Sequence, residues 1–267
     1  MTLTNENFYF FQRKSKTNER IIMKYYLILA LAICTTKANV NVVPIGVHCS
    51  AAAALRRLNI REMAFPFDWM VSGFINLYNC FNEDFKHFLE KNSLRPRYDN
   101  QAIVDYYGFE FPHDFPTTQN LISKENAGDG QVAQSLIHPN FKDYADAVKS
   151  KYDRRIERLY QILNSSEKVF FIRHFGMDRN QAISFRDLII KKFPKLDFLL
   201  VVVNPVQMQE VNWNLNKIRN YYLDDRQAWN NPAEWERIYK DLGLTPNKSS
   251  RSIIEPVHKC LLCNPEN

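Results

Sequence analysis

Cys49 and Ser50 stand side by side where a strand runs into a helix. The residues before them, Val40 to Ile45, are a β-branched run that reads as a buried strand. Gly46 permits a sharp turn. The Ala-rich stretch SAAAALRRL that follows is a strong helix former. The pattern sets a thiol at or beside a helix N-terminus, directly after a strand. Unsatisfied N–H groups and the positive end of the helix dipole favour a thiolate there. Such a thiolate can attack a carbonyl carbon, with main-chain N–H groups beside it to hold the oxyanion. An inert buried thiol fits the same position, so the motif admits both readings.

A thiol nucleophile needs a proton acceptor, and six histidines are available. His48 adjoins Cys49, but side chains adjacent in sequence usually diverge. His113 lies in FPHDFP, beside Asp114 and between two prolines that stiffen the loop. His174 follows an apolar strand run, and His258 lies near the C-terminus. His87 and His138 fit a helix face and a helix approach. Asp68, in PFDW at 66–69, is set between two aromatic anchors and reads as partly buried. A buried carboxylate needs a partner. It suits the third member of a catalytic triad, and equally a helix cap or an ion pair with Arg56 or Arg61.

Other clusters are weaker. Asp153, Arg154, Glu157 and Arg158 read as a solvated helix face with ion pairs. His258, Cys260 and Cys263 lack a fourth ligand for zinc, so a disulfide or two thiols is the expected state. No metal or cofactor is expected. With 7 glycines the chain has neither GxGxxG nor GxxxxGK[ST]. A net charge of +6 without a basic stripe argues against a nucleic-acid partner.

The elements that must position these groups follow from periodicity. Apolar runs at 41–46, 168–173 and 198–203 read as neighbouring parallel strands, and 216–223 as a further one. Helices are expected over 50–58, 72–91, 141–163, 180–193 and 231–243, with 102–111 extended. A polar stretch around Gly128 and Gly130 reads as an exposed loop. Helices alternating with continuously apolar strands predict an α/β fold, a single domain with a mostly parallel sheet flanked by helices on both faces. Ligands bind beyond the carboxyl ends of such strands. Cys49 and the Arg173-His174 pair both fall on that rim.

The N-terminal region carries a processing signal. Met23-Lys24, an apolar core to Ile33 and Thr36-Lys37-Ala38 describe a secretory signal peptide, too short for a comfortable membrane span. Residues 1–22 then form an unstructured extension or a mis-assigned start, 23–38 the leader, 39–243 the domain and 244–267 a tail. Removing the leader takes Cys34 with it, leaving four of five cysteines, which is no disulfide framework.

Ile45-Gly46-Val47-His48-Cys49, PFDW at 66–69, HDF at 113–115, KYDRRIERL at 151–159 and VFFIR at 169–173 together resemble one family. It is the uncharacterised family labelled putative papain-like cysteine peptidases, and the resemblance runs from about residue 41 to about 243. It implies Cys49 as nucleophile, His113 as first histidine partner, and Asp68 as a weaker carry-over; His174 is the second histidine, from its place on the rim. His48 stands where a small polar residue is expected before the cysteine, which bears on access to the thiol. A papain-like enzyme sets its cysteine on a helix against an antiparallel barrel, whereas the local pattern here predicts a parallel sheet. The strand–Gly–nucleophile–helix order also resembles esterases on a doubly wound sheet, where Ser takes the nucleophile position. The expectation is a secreted, cell-envelope or periplasmic cysteine hydrolase, peptidase-like or acyl-transferring, acting on a peptide, amide or ester. The alternatives are that esterase-like enzyme and a non-catalytic binding or structural module in which Cys49 is a packed thiol.

Overall fold

The structure, a computed structural model, describes residues 40–119, 135–205, 212–223 and 232–244. The leader region, the Gly128–Gly130 stretch and the tail with His258, Cys260 and Cys263 lie outside these residues. β1 (Val40–Pro44) leads through a turn into α1 (Ser50–Arg57), and α2 (Phe74–Asn82) follows a turn-rich segment. β2 (Arg95–Pro96), β3 (Ile103–Val104) and β4 (Glu110–Phe111) form a small antiparallel sheet. β5 (Thr117–Gln119) and β6 (Ser135–Ile137) pair separately. A 3₁₀ turn at Phe141–Tyr144 opens α3 (Ala145–Leu163). β7 (Lys168–His174), α4 (Arg179–Lys192), β8 (Phe198–Pro205), β9 (Ile218–Leu223) and α5 (Pro232–Asp241) complete the described chain.

The main sheet has the order β1-β7-β8-β9, and every pairing is parallel. Parallel strands must be covered on both faces, and their composition shows it. In β7, Val169 and Phe171 join one core, while Phe170 and Ile172 join the other. β8 alternates the same way: Phe198, Leu200 and Val202 against Val201 and Val203. The first core takes Leu77 and Phe81 of α2, Tyr152 and Leu159 of α3, and Phe185 and Ile189 of α4. The second takes Ala51, Ala54 and Leu55 of α1, and Trp235, Ile238 and Tyr239 of α5. Each fully buried Val, Leu, Ile or Phe stabilises the fold by roughly 1.5–3 kcal/mol. The alanines of α1 let that helix lie close to the sheet, which places Cys49 and Ser50 at the sheet's rim.

Two elements differ from the periodicity. The helix expected over 72–91 stops at Asn82, because Asp84 and Phe85 take left-handed backbone angles of +53° and +59°. Phe85, Phe88 and Leu89 still reach the core, but from turns. The extended stretch at 102–111 is two short strands closed by a turn in which Gly108 has φ of +87°. Among the described residues, no helix is long and apolar enough to cross a membrane.

Candidate functional site

The turn from β1 to α1 is held by the end of β7. Ile45 N–H donates to the Ile172 carbonyl at 2.8 Å, and Val47 N–H to the His174 carbonyl at 3.2 Å. Gly46, with φ of +40°, reverses the chain where any Cβ would come within 3.1 Å of Ser72 Oγ. Ser72 N–H donates to the Val47 carbonyl at 2.7 Å. Cys49 already has helical angles, and its carbonyl accepts from Ala53 N–H at 2.8 Å. The helix turn therefore includes the cysteine. Its side chain is buried, with 2 % of the residue exposed.

His174 sits on the α1 and α5 side of the sheet. Its Nδ1 lies 2.5 Å from Ser50 Oγ, and both residues are buried. The ring meets Trp235 edge-on at 5.1 Å and His48 at 5.6 Å. Burial, helped by the neighbouring His48, pulls the His174 imidazole down from 6.5 to about 3. It is neutral at pH 7, the form that accepts a proton. The hydroxyl beside the cysteine is thus hydrogen-bonded to a neutral imidazole nitrogen. Sequence reasoning gave Ser50 no role; its place beside Cys49 was the available signal, and its partner is 124 residues away.

Arg173, one residue earlier, points to the other face. It is fully buried, and its guanidinium donates to the Ile45 carbonyl at 2.7 Å and the Ser72 carbonyl at 2.9 Å. Desolvation lowers it from its ordinary value to about 10.

The remaining motif residues meet elsewhere, along one edge of α3. Asp68 is fully buried and paired with Arg61, and also accepts from Phe65 N–H at 3.0 Å. Desolvation raises its carboxyl above the ordinary value, against the pull of Arg61. Of the readings open for Asp68, the structure displays the ion pair with Arg61. Arg61 also lies 5.7 Å over the Trp69 ring, and Phe67 is locked in the aromatic core. Arg158 donates to the Ala64 carbonyl at 2.7 Å. His113 is exposed on the segment after β4. Its neighbour Asp114 accepts from the Tyr152 hydroxyl at 2.9 Å and from Lys151. HDF is therefore fastened to KYDRRIERL through Asp114, and the chain just before PFDW is fastened to it through Ala64. Among the described residues, no cluster of three or more His, Cys, Asp or Glu is arranged to hold a metal.

The chain is similar to an uncharacterized protein of Acanthamoeba polyphaga mimivirus, 25% identical over 190 residues, 61% of this chain and 77% of that one. No solved structure matches. A family profile matches residues 40–208, well over half the chain and the whole span from β1 past β8. By that match the chain belongs to the family described as putative papain-like cysteine peptidase.

Proposed function

We propose that the protein is a cysteine-dependent hydrolase or acyl-transfer enzyme with Cys49 as nucleophile and His174 as base. The supporting observation is the placement of Cys49 at the first turn of α1, on the carboxyl rim of a parallel sheet, with neutral His174 held against the adjacent Ser50. In this reading the opening that admits substrate also solvates His174 and restores its basicity; the Cys49 sulfur then attacks a carbonyl carbon of an amide or ester, and its proton passes to His174. Main-chain N–H groups at the start of α1 stabilise the oxyanion. Collapse expels the amine or alcohol, which takes the proton from His174, and water then hydrolyses the thioester. His174 is preferred to the family-implied His113 because it shares the rim with α1. The thiol is 2 % exposed, so opening toward substrate is a step of the reaction.

That same burial favours a second reading, a binding or structural module with Cys49 as a packed thiol. Iodoacetamide labelling of the native protein at neutral pH, mapped by peptide mass, separates the two. Cys80 is the internal control, buried and with desolvation pushing its thiol well up. The enzyme reading expects Cys49 to label much faster than Cys80. On a panel of peptide amides and activated esters, Cys49→Ala abolishes turnover and His174→Ala lowers it roughly 10²–10⁴-fold. Equal labelling of the two thiols, with turnover surviving in Cys49→Ala, sinks the enzyme reading.

A further inference from the structure

Arg173 is a fully buried charge at the rim that the reaction above does not use. Among the described residues, its Nε has no hydrogen-bond acceptor and no carboxylate bonds to its guanidinium. A buried guanidinium is costly unless paired, and this one serves only two main-chain carbonyls. A neutral amide could serve two carbonyls without bringing charge into the interior. The placement of the charge therefore calls for a reason.

The two carbonyls supply one. Ile45 lies between β1 and the Gly46 turn, and Ser72 follows PFDW. The Ser72 N–H in turn holds the Val47 carbonyl. Arg173 thus closes a loop of contacts around the turn that delivers Cys49. The packing there is tight. A Cβ on Gly46 would meet Ser72 Oγ at 3.1 Å, and one on Gly176 would meet Val47 Cγ2 at 3.0 Å. Both glycines have left-handed angles, +40° and +66°. On the opposite face His174 reaches Ser50. The last two residues of β7 grip the turn from both faces of the sheet, because consecutive strand residues point oppositely.

We propose that Arg173 is a positioning residue for the Cys49 site, fixing the 45–50 turn through Ile45 and Ser72 and setting a positive charge beneath it. The consequence for thiol chemistry rests on the Cys49 reading; the hold on the turn does not. A positive charge near a thiol favours the reactive thiolate.

The test uses the full chain, with Arg173→Met, which keeps volume and removes charge, and Arg173→Lys, which keeps charge. Hydrogen–deuterium exchange reads the backbone, and iodoacetamide mapping reads Cys49 against Cys80. In Arg173→Met, exchange within 45–50 is expected to rise at least about tenfold while α3 is unchanged. Cys49 labelling is expected to fall about tenfold, the size of one pKa unit, with Cys80 unchanged. Arg173→Lys recovers part of both. Unchanged exchange at 45–50, or a parallel rise in 45–50 and α3, overturns the proposal, as does a Cys49 that labels measurably in the native protein and whose rate holds or rises in Arg173→Met. Should Arg173→Met lack a cooperative melt, Arg173→Gln, which removes the charge and keeps amide donors for the two carbonyls, is read in its place and is expected to show the same fall in Cys49 labelling; a labelling rate that holds overturns the proposal. If Cys49 is inert in every protein while 45–50 exchange still responds, the thiol reading fails and the hold of Arg173 on the turn stands.

Discussion

Asp68 is fully buried, and the charge that meets it comes from Arg61, whose side chain stays one-fifth exposed. The pair is therefore asymmetric. Removing the arginine strands a carboxylate in the aromatic core; removing the carboxylate lets the arginine turn to water. Leaving one buried partner uncompensated costs about 3–5 kcal/mol. Arg61→Ala is expected near the lower end, about 3 kcal/mol, because Asp68 can take up a proton. Asp68→Asn keeps an acceptor for Phe65 N–H and costs less, about 1–2 kcal/mol. Urea unfolding measures both. If Arg61→Ala changes stability by less than about 0.5 kcal/mol, the scale of a neutral surface substitution, the pair is not holding PFDW in place.

Helix α5 closes the His174 side of the site. Trp235 is fully buried against the His174 ring, stacks on Tyr239 at 5.6 Å, and so seals α1 to the sheet. Trp235→Ala is expected to cost about 3–5 kcal/mol. It should also speed Cys49 labelling relative to Cys80, since the cavity opens beside α1; equal acceleration of both thiols would mean general loosening instead. Elements of this kind were largely legible. β7 and β8 carry continuous apolar runs and β1 a shorter one broken by Asn41, which fits strands covered on both faces, and the Tyr152–Leu159 stripe has helical spacing. The end of α2 was not legible, because Phe85, Phe88 and Leu89 continue the apolar spacing while the backbone has left the helix. The site was half legible. A strand–glycine–helix junction marks Cys49 locally. No local pattern says that Ser50 meets His174, or that Arg158 meets Ala64 94 residues away. The first meeting follows from β1 and β7 being neighbours in the sheet, and the second from where α3 packs.

Asp105 and His174 are buried titratable groups that contribute to the pH response of the whole molecule with opposing signs, beside the raised Asp68. Asp105, fully buried, accepts from Phe109 N–H at 2.9 Å and Leu89 N–H at 3.4 Å, with no cation paired to it among the described residues. Desolvation lifts its carboxyl from 3.8 to about 6. The folded state binds the extra proton between those values, so the Asp105 contribution to stability grows as pH falls from 6 toward 3.8. His174 runs the other way. Its imidazole drops from 6.5 to about 3, so the unfolded state takes the proton first and stability is lost as pH falls below 6.5. Each slope is about 1.4 kcal/mol per pH unit within its window. Between pH 6 and pH 5 the two nearly cancel. Asp105→Asn removes one side of that balance. From pH 6 to pH 5 its stability is expected to fall by about 1 kcal/mol more than that of the native protein. Relative to the native protein, the variant should gain about 1 kcal/mol between pH 5 and pH 7.5, because it carries no buried carboxylate to ionise. Urea unfolding at pH 5, 6 and 7.5 reads this directly. A variant-minus-native difference that stays constant across the three would show that Asp105 does not titrate in this range and that the burial of the β3–β4 turn does not govern the acid response.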